Sequence, residues 1–523
     1  MRRRSFNTTG PCNAEWHYML PPGDRLPDLA ALVDEKLYFV VHAARQTGKT
    51  TAMIAFAQQL REAGKAAVYV TLESSGAFPD TERAEPVWLD AIRRRAALQL
   101  PASQCPPPGD AGAAVGSRLN GLLGRWAAAL GEVPLILLLD EADVITGEAM
   151  ISFLRQLRDG FAGRNVGVFP TSIALVGMRD LRDYLTLAKD GVMINPGSPF
   201  NVKKASLTLR NFTHAEVGRL YAQHTTETGQ EFTPESVSRA FYWTQGQPFL
   251  VNALAYQCVG YARQLDDPRI EGTVTAEHID AAKEALIQSR TTHLDSLAQK
   301  LSDPRLAPIL QAVLLGDSAL AYDSDDFQYA TDLGLLRRGE DEAEIANPLY
   351  REVLVRQLSY NTQRNVTKPW WPWQTPDGRL DMPALMLAFQ GWWRENADGL
   401  KRRAPVGYTE ATAHLAFMGF LQRVVNGGGR VYREYGAGRG RIDILVEYGG
   451  GRHAVELKRV RPKDGALAVR TKGIAQLGRY LDTLGLNEGW LVIFDQRKGR
   501  TWEERITNED VSDGGRTLHL VGG

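Results

Sequence analysis

The sequence predicts an α/β protein of several domains, with a parallel sheet near the amino terminus, a helical middle and a second α/β domain at the carboxyl terminus. Its 523 residues exceed one ordinary domain at about 150 residues each. Apolar runs of strand length alternate with helical stretches over residues 30–200, which is typical of a parallel sheet. The composition, 44% hydrophobic and 23% charged, is globular and excludes a disordered or fibrous chain.

The individual elements follow from the apolar pattern. Continuous apolar runs at 37–43, 66–72, 133–140 and 172–178 predict strands that are buried on both faces. The segment 101–116 is rich in proline and glycine, so we expect a surface loop there. From about 210 to 360, apolar residues recur at three- and four-residue spacing and predict helices. Within this region, 325–358 predicts a helix, a short hairpin and a closing helix, as in a winged-helix module.

Cysteine content and charge narrow the class of protein. Three distant cysteines, Cys12, Cys105 and Cys258, exclude a disulfide framework and a Cys-rich zinc site. The basic start lacks the apolar segment of a signal peptide, and the apolar runs are far shorter than the roughly 20 residues that span a bilayer. We therefore expect a cytoplasmic protein without a membrane segment. Residues 401–523 hold 21 Lys and Arg against 14 Asp and Glu, a net charge of +7 in a chain of net charge zero, which suggests a polyanionic partner; ordinary variation between domains is the alternative.

A strand, a tight loop and the start of a helix follow one another over residues 38–51. Gly48, Lys49 and Thr50 stand at the helix start, where free N–H groups and the helix dipole favour phosphate. We expect Lys49 to reach the β- and γ-phosphates of ATP and the Thr50 hydroxyl to ligate Mg²⁺. The consensus has glycine where this chain has Ala43, which still allows a close turn. The residues expected to contact the nucleotide are Ala44, Arg45, Gln46, Thr47, Gly48, Lys49, Thr50 and Thr51.

A second motif, LILLLDEAD at 135–143, ends an apolar strand in two carboxylates. Asp140 would hold Mg²⁺ on the side of Thr50, and Glu141 would orient or deprotonate the attacking water. Each motif alone could be structural, as a buried strand with a polar end or as a glycine-containing helix start. Because both occur about 90 residues apart in an alternating chain, they predict an ATP-hydrolysing domain.

Residues 5–360 resemble AAA-like, signal-transduction-type P-loop ATPases, which are related to the archaeal ATPase family. The segments that carry the resemblance are HYMLPPGDR, ARQTGKTT, LLLDEAD, VGMRD and YWTQGQPFLV. The resemblance implies a P-loop ATPase core with helical and winged-helix extensions. It also implies sensor residues at Arg179 and Asp180. No arginine finger is identifiable, so hydrolysis within one chain and hydrolysis across a homo-oligomer interface both stay open.

The same resemblance implies further contacts to the nucleotide outside the two motifs. Gly246, Gln247 and Pro248 match a turn that faces the nucleotide. His17, Tyr18 and Arg25 would lie near the adenine, and packing is the alternative for His17 and Tyr18.

A second cluster of chemistry-bearing residues lies near the carboxyl terminus. Asp443 begins one predicted strand, and Glu456 and Lys458 lie on the next. Because strand side chains alternate between faces, Glu456 and Lys458 point the same way, and the Gly-rich connection is short enough for a hairpin that brings Asp443 beside Glu456. Two carboxylates could bind Mg²⁺ or Mn²⁺, and Lys458 would position or activate a water. The alternative is an exposed Glu–Lys pair on an edge strand.

Residues 405–500 resemble the PD-(D/E)XK nuclease superfamily, although Ile442 stands where the superfamily name has proline. The resemblance implies a restriction-endonuclease-like α/β domain. It makes the following residues catalytic: Asp443, Glu456, Lys458, and Gln476 with Tyr480 at i, i+4 on the next helix. Glu410 matches a carboxylate that many members add to the metal site, and His414 and Glu434 are further candidates.

Together these features predict an ATP-regulated, metal-dependent DNA nuclease of a prokaryotic defence or DNA-processing system. Its expected segments are a P-loop core (1–205), a helical lid (206–300), a winged-helix-like module (301–360), a linker and helix (361–399) and the nuclease domain (400–523). Trp370, Trp371 and Trp373 would stack on bases or pin the linker to a domain surface. One alternative function is an ATP-driven DNA-binding switch that binds without cutting, and another is a DNA translocase or loader.

Overall fold

The computed structural model divides into two compact units. It describes residues 4–109, 113–165, 167–178, 203–259, 272–289, 300, 303–314, 324–339, 343–364, 373, 375, 377–403, 412–426, 430–437, 440–461, 464–497 and 499–523. Unit 1 comprises Met1–Ser289 and Asp323–Arg337, and unit 2 comprises Arg290–Tyr322 and Arg338–Gly523. Five residues that the sequence singled out lie outside the described residues: Arg179, Asp180, Trp370, Trp371 and Glu410. The five predicted segments stay a prediction.

The strands are numbered in chain order. They are β1 Tyr38–His42, β2 Ala66–Thr71, β3 Leu135–Asp140, β4 Ser172–Gly177, β5 Lys203–Thr208, β6 Leu336–Arg338, β7 Ala343–Ile345, β8 Arg430–Ala437, β9 Gly440–Tyr448, β10 Gly451–Val460, β11 Glu488–Asp495, β12 Asn508–Asp513 and β13 Arg516–Gly522. The four apolar runs of the N-terminal region are strands, as predicted.

The α-helices are numbered in the same way. They are α1 Leu29–Asp34, α2 Lys49–Glu62, α3 Thr81–Gln99, α4 Arg118–Leu130, α5 Gly147–Ala162, α6 His214–Thr228, α7 Pro234–Thr244, α8 Pro248–Val259, α9 Ala276–Gln288, α10 Leu306–Leu314, α11 Asp325–Asp332, α12 Pro348–Arg364, α13 Met382–Arg403, α14 Thr412–Asn426, α15 Ala466–Leu484 and α16 Trp502–Arg505. The order α11, β6, β7, α12 is the helix, two strands and closing helix that the sequence predicts.

Unit 1 is built on a parallel sheet, as predicted. Among the described residues, five strands pair in the order β2-β3-β4-β1-β5, and every pair is parallel. Side chains of β3 alternate between two apolar clusters: Leu137 and Leu139 pack on one face of the sheet, and Ile136 and Leu138 pack on the other. Burial on both faces explains why these strands are continuous apolar runs in the sequence.

The strand order determines where polar side chains meet in unit 1. Strand β4 lies between β1, which leads into the loop before α2, and β3, which ends in Asp140. Because the strands are parallel, their carboxyl ends share one edge of the sheet, where ligands bind in open α/β folds. The loop at Gly48 and the carboxylates at the end of β3 therefore face the same crevice.

Unit 2 contains a mixed sheet. Within the described ranges, six strands pair in the order β12-β13-β11-β10-β9-β8. Strands β8, β9 and β10 form an antiparallel meander, and β11 is parallel to β10 after the helix α15. Leu477 and Leu481 of α15 pack on Leu445, Ala454 and Leu491 of the sheet, so the helix covers the strands on which the second cluster of residues lies.

Helix α13 packs inside unit 2. Its Phe389 ring lies 4.7 Å from the ring of Phe417 and 6.0 Å from that of Phe494. The Gln390 amide donates a hydrogen bond of 2.7 Å to the carbonyl of Gly522. Trp373, the described member of the tryptophan group, is partly buried, and its carbonyl accepts the Asp381 N–H at 2.7 Å.

Candidate functional site

The loop between β1 and α2 has the backbone of a tight phosphate cradle. Gln46 and Gly48 both adopt left-handed conformations, with φ of 59° and 90°. The Thr47 hydroxyl donates to the carbonyl of Ala44 at 2.9 Å and closes the turn. A Cβ on residue 48 would lie 2.9 Å from the Nη2 atom of Arg25, so both backbone conformation and space favour glycine here.

Lys49 is held by the loop itself. Its ammonium donates to the carbonyls of Ala43 and Ala44 at 2.7 and 3.0 Å, and the residue is buried. Burial lowers the pKa of Lys49, an effect that the negative charges of Glu141 and Asp140 partly offset. The two carbonyls stabilise a cation at the place where the loop would receive phosphate oxygens.

A carboxylate at the end of β3 accepts a hydrogen bond from the start of α2. The Thr50 hydroxyl donates to Oδ2 of Asp140 at 2.6 Å, and the Tyr69 hydroxyl donates to the same oxygen at 2.9 Å. The Glu141 N–H donates to Oδ1 at 3.0 Å. Asp140 is fully buried, so these bonds compensate for its desolvation. Tyr69 was not predicted, because nothing in the apolar run AAVYVTL marks a tyrosine as part of a site.

Glu141 directly follows strand β3. It adopts a left-handed conformation with φ of 55°. Burial raises the pKa of Glu141, and the charges of Asp143 and Asp140 raise it further, against the opposing effect of Lys49. A half-buried carboxylate with a raised pKa is a suitable general base. Asp143 is fixed nearby by the Met178 N–H at 2.8 Å.

Arg25 holds the phosphate loop. Its Nη1 atom donates to the carbonyl of Thr47 at 2.9 Å and to that of Arg210 at 3.0 Å, and its guanidinium lies over the ring of Phe212. Burial lowers its pKa to about 10. These contacts account for the guanidinium without an adenine, so the proposed adenine contact of Arg25 has no support in the geometry.

Tyr18 and His17 have local partners as well. The Tyr18 ring is fully buried, 4.9 Å from the ring of Phe6, and its hydroxyl lies 3.2 Å from Nδ1 of His224. His17 accepts the Asn13 N–H through Nδ1 at 3.0 Å. The Tyr18 ring therefore packs inside unit 1, and its predicted position near the adenine stays a prediction.

The remaining predicted nucleotide contacts lie in the loop before α2, in the first turn of α2 and around the start of α8. Arg45 and Gln46 are exposed and Ala44 is partly exposed, while Thr51 accepts the Cys12 N–H at 3.0 Å through its hydroxyl. Gln247 donates to the carbonyl of Gln46 at 3.3 Å. Pro248 is buried at the start of α8, and a Cβ on Gly246 would lie 1.8 Å from the carbonyl oxygen of Phe212.

Unit 2 brings Asp443, Glu456 and Lys458 together. The Lys458 ammonium lies 2.6 Å from Oε1 of Glu456, and Oδ2 of Asp443 accepts the Leu457 N–H at 2.8 Å. Burial raises the pKa of Glu456 to about 8, with a further contribution from the Asp443 charge. Burial lowers the pKa of Lys458, but Glu456 and Asp443 together raise it above its usual value. The three side chains therefore share one electrostatic environment.

This cluster fits a divalent cation. Glu456 is fully buried, and its Oε2 atom has no hydrogen-bond partner among the described residues. A buried carboxylate oxygen without a partner is costly, and a cation beside it and Asp443 would remove that cost. Across the described ranges, no group of three or more His, Cys, Asp or Glu is arranged to hold a metal ion. Glu410, the third carboxylate that the resemblance implies, lies outside those ranges.

The helix α15 completes the surroundings of Lys458. Gln476 donates to the Tyr480 hydroxyl at 3.1 Å. A Cβ on Gly473 would lie 3.2 Å from Cγ of Lys458 and 2.9 Å from Leu491. The glycine therefore lets the helix pass directly over the lysine. Sequence analysis missed Gly473, although a glycine inside a predicted helix is a signal of close packing.

His414 lies on α14 near the same charges. It is partly buried, and its buried Nε2 atom has no partner in the part of the chain that the structure describes. Burial, followed by the charges of Arg459, Lys458 and Arg351, lowers the pKa of His414 to about 3. His414 is therefore neutral at physiological pH. Glu434 lies in strand β8.

Comparison with known proteins identifies the N-terminal region. Residues 33–185 match the AAA domain family model, so the chain contains a P-loop ATPase domain of the AAA type, in agreement with the strand order and the motif geometry. No curated protein matches the chain in sequence. Inside the described ranges, no helix is long and apolar enough to cross a membrane.

Several solved structures are similar to part of the chain. A Walker-type ATPase of Pyrococcus abyssi is 15% identical over 67% of this chain and 99% of its own, with a TM-score of 0.47. The Orc1 protein of Aeropyrum pernix, solved in complex with DNA, is 13% identical over 65% of this chain and 93% of its own, with a TM-score of 0.33. The RuvB Holliday junction branch migration motor of Thermotoga maritima is 12% identical over 63% and 92%, with a TM-score of 0.33. All three scores are below 0.5, and the AAA assignment rests on the family model and the strand order.

Proposed function

We propose that the chain is an ATP-regulated, metal-dependent DNA nuclease of a prokaryotic defence or DNA-processing system. The observation that carries the nuclease part is the meeting of Asp443, Glu456 and Lys458 in unit 2, with one buried carboxylate oxygen left without a partner. A purely structural Glu–Lys pair on an edge strand would be exposed. Here the pair lies on β10, inside the described sheet, and Glu456 is fully buried.

The order of elements in unit 2 supports a restriction-endonuclease-like domain. Asp443 lies on β9, Glu456 and Lys458 lie on the antiparallel neighbour β10, and the Gln476 and Tyr480 pair lies on the following helix. This distribution is the one that the resemblance to PD-(D/E)XK nucleases requires. We propose that the module also includes α13, because Phe389 and Gln390 pack into its core.

Each residue of the cluster has a distinct chemical task in this proposal. Asp443 and Glu456 would hold Mg²⁺ or Mn²⁺, which would offset negative charge that develops on the phosphate. Lys458 would orient the attacking water and stabilise the anionic phosphate with its ammonium. Gln476 and Tyr480 fix the wall of the site on the side of α15. The net charge of +7 over residues 401–523 would attract the DNA backbone.

The ATPase part of the proposal rests on unit 1. Lys49 would bind the β- and γ-phosphates of ATP, exchanging its two carbonyl partners for phosphate oxygens. Thr50 and Asp140 would hold Mg²⁺, and Glu141 would accept a proton from the attacking water. Since both sets of residues belong to one chain, ATP binding or hydrolysis would control when the nuclease acts, within one chain or across a homo-oligomer.

An ATP-driven DNA-binding switch is the second candidate. It is favoured by the direct hydrogen bond of 2.6 Å from Lys458 to Glu456, because these two side chains can satisfy each other without a cation. In that case the domain would bind DNA through its positive charge and would not cut it.

A cleavage assay separates the two candidates. Supercoiled plasmid is incubated with the full chain and Mg²⁺ or Mn²⁺, with and without ATP, and the products are resolved on a gel. The variants Asp443→Ala, Glu456→Ala and Lys458→Ala should lose cleavage while gel shifts show retained DNA binding. Glu447→Gln on the same strand β9 is the matched control and should cut normally. If the wild-type chain binds DNA but leaves it intact under every metal and nucleotide condition, the switch replaces the nuclease.

A further inference from the structure

The hydroxyl of Tyr69 contacts the carboxylate at the centre of the ATPase site. We propose that Tyr69 is a positioning residue that fixes the Asp140 carboxylate in the orientation in which it receives the Thr50 hydroxyl. The proposal deepens the ATPase part of the proposed function and rests on it. Tyr69 itself would touch neither ATP nor the cation.

The hydrogen bonds of Asp140 give Tyr69 this role. Oδ2 accepts two hydroxyl donors, Thr50 at 2.6 Å and Tyr69 at 2.9 Å, while Oδ1 accepts the Glu141 N–H at 3.0 Å. Asp140 is fully buried. The terminal torsion of an aspartate is broad and only roughly two-fold, so each donor to its oxygens narrows the rotation of the carboxylate.

The sheet register explains how Tyr69 reaches this carboxylate. Strands β2 and β3 are parallel, and Thr71 is the partner of Asp140. Tyr69 precedes Thr71 by two positions, so its side chain leaves β2 on the same face. A phenol is long enough to extend along the strand to the carboxylate, and the residue is 7% exposed, which leaves its ring little freedom.

A second contact fixes the backbone of Tyr69. Strand β2 stands at the end of the strand order of the described sheet, where peptide groups lack a strand on one side. The Gln99 side chain of α3 takes that place: its Oε1 accepts the Tyr69 N–H at 3.1 Å, and its Nε2 donates to the Tyr69 carbonyl at 2.7 Å. Gln99 is in turn held by the carbonyl of Arg95 at 3.1 Å. The tyrosine is therefore fixed at both its backbone and its hydroxyl.

This arrangement has a consequence for nucleotide binding. While Asp140 accepts the Thr50 proton, the lone pairs of the Thr50 oxygen face away from the carboxylate and are available to a cation. Mg²⁺ demands near-ideal octahedral geometry, so a Thr50 oxygen with a fixed direction binds it better than a rotating one. Loss of the Tyr69 hydroxyl would leave Oδ2 with the Thr50 donor and Oδ1 with the Glu141 N–H. The carboxylate would be held less firmly and the binding of Mg²⁺ with ATP would weaken, without the loss of any group that contacts the nucleotide.

The test compares two phenylalanine variants of the full chain. Tyr69→Phe removes the hydroxyl and keeps the ring, and Tyr38→Phe is the matched control, since the Tyr38 hydroxyl donates to the carbonyl of Pro170 at 3.1 Å in the same sheet. Binding of the fluorescent analogue mant-ATP is titrated in EDTA and in Mg²⁺, and melting is followed in parallel. We expect Mg²⁺ to increase the affinity of the wild type and of Tyr38→Phe for mant-ATP. In Tyr69→Phe this increase should be about tenfold smaller, while the affinity in EDTA is unchanged.

Three results would overturn the inference. In the first, Tyr69→Phe keeps the full effect of Mg²⁺, so that the hydroxyl serves only to satisfy a buried oxygen. In the second, Tyr69→Phe weakens binding equally in EDTA and in Mg²⁺, which places the defect in the nucleotide pocket as a whole. In the third, the wild type itself does not bind mant-ATP, and the proposed ATPase function fails together with the inference. The first two leave the ATPase proposal intact.

Discussion

The charge state of Glu456 should control metal binding at the proposed nuclease site. Burial and the neighbouring Asp443 charge raise the pKa of Glu456 to about 8, so the side chain holds a proton at pH 6.5 and competes with any cation. Metal ligands must be deprotonated to bind. We therefore expect the affinity for Mn²⁺ to rise steeply between pH 6.5 and pH 8.0, a range in which ordinary carboxylates do not titrate.

The size of the effect follows from the protonation equilibrium. With a pKa of about 8, roughly 3% of the side chains are ionised at pH 6.5 and about half at pH 8.0. The apparent affinity should thus increase about 15-fold, which corresponds to about 1.5 kcal/mol of additional stabilisation by a saturating cation. An ordinary carboxylate pair would give almost no change over the same range.

In the metal-free chain, a rise in pH changes the folding stability in the opposite direction, toward lower stability. The folded carboxyl keeps its proton up to a pH of about 8, whereas the unfolded one releases it near pH 4.3. The stability that Glu456 contributes is therefore fully present below pH 4.3 and is lost as the pH rises toward 8. A cation at the site should restore that stability.

The measurement is a titration with Mn²⁺, in the absence of nucleotide, followed by the paramagnetic resonance signal of the free ion. Glu456→Gln should abolish both the binding and its pH dependence, and Glu447→Gln on strand β9 should behave as wild type. Equal wild-type affinity at pH 6.5 and pH 8.0, or undiminished binding by Glu456→Gln, would refute this account of the site.

Three further predictions follow from the described contacts. Lys49→Ala should lower ATP hydrolysis by about 100-fold or more, since the site loses its phosphate-binding cation. Glu141→Gln should retain mant-ATP binding and slow turnover by about 100-fold. Steady-state phosphate release with parallel binding titrations checks both variants, and wild-type turnover by Glu141→Gln would remove its assignment as general base. Gly246→Ala should destabilise unit 1 by at least about 2 kcal/mol in urea unfolding, because the new Cβ would lie 1.8 Å from the Phe212 carbonyl oxygen; a stable variant would show that this turn can open. Lys458→Ala should stop plasmid cleavage while Mn²⁺ binding and ATP hydrolysis persist, and loss of metal binding would make the lysine part of the cation site.

Strands β1 to β4, β9 and β10 were predicted from the sequence, whereas several edge strands and the interior strand β13 were not. Strands β1 to β4 are continuous apolar runs because they are buried on both faces. Strands β5, β8 and β12 stand at the ends of the strand orders and carry sequences such as KKASLT and NEDVSD. An edge strand with polar side chains has no apolar period to recognise, so a sequence pattern does not mark it.

The predicted site residues divide in a similar way. Asp443, Glu456 and Lys458 were accessible to sequence analysis because the two-residue period of a strand and a short hairpin determine their meeting. Tyr69 was not, since its hydroxyl contacts Asp140, which is distant in sequence. Gly473 was not either, since its importance depends on how closely α15 packs over Lys458. Tyr18 shows the limit of a motif match, which takes no account of the burial of the side chain.

Arg25 also has a consequence for the order in which the protein is made. Its guanidinium binds the carbonyl of Thr47, which follows 22 residues later, and that of Arg210, which follows 185 residues later. At about 5–20 residues per second, the ribosome delivers the second carbonyl roughly ten to thirty seconds after the first. During that interval the nascent chain contains the whole phosphate loop but lacks the Arg210 carbonyl that also binds Arg25. The loop therefore reaches its final shape only when the segment that leads into α6 has been synthesised.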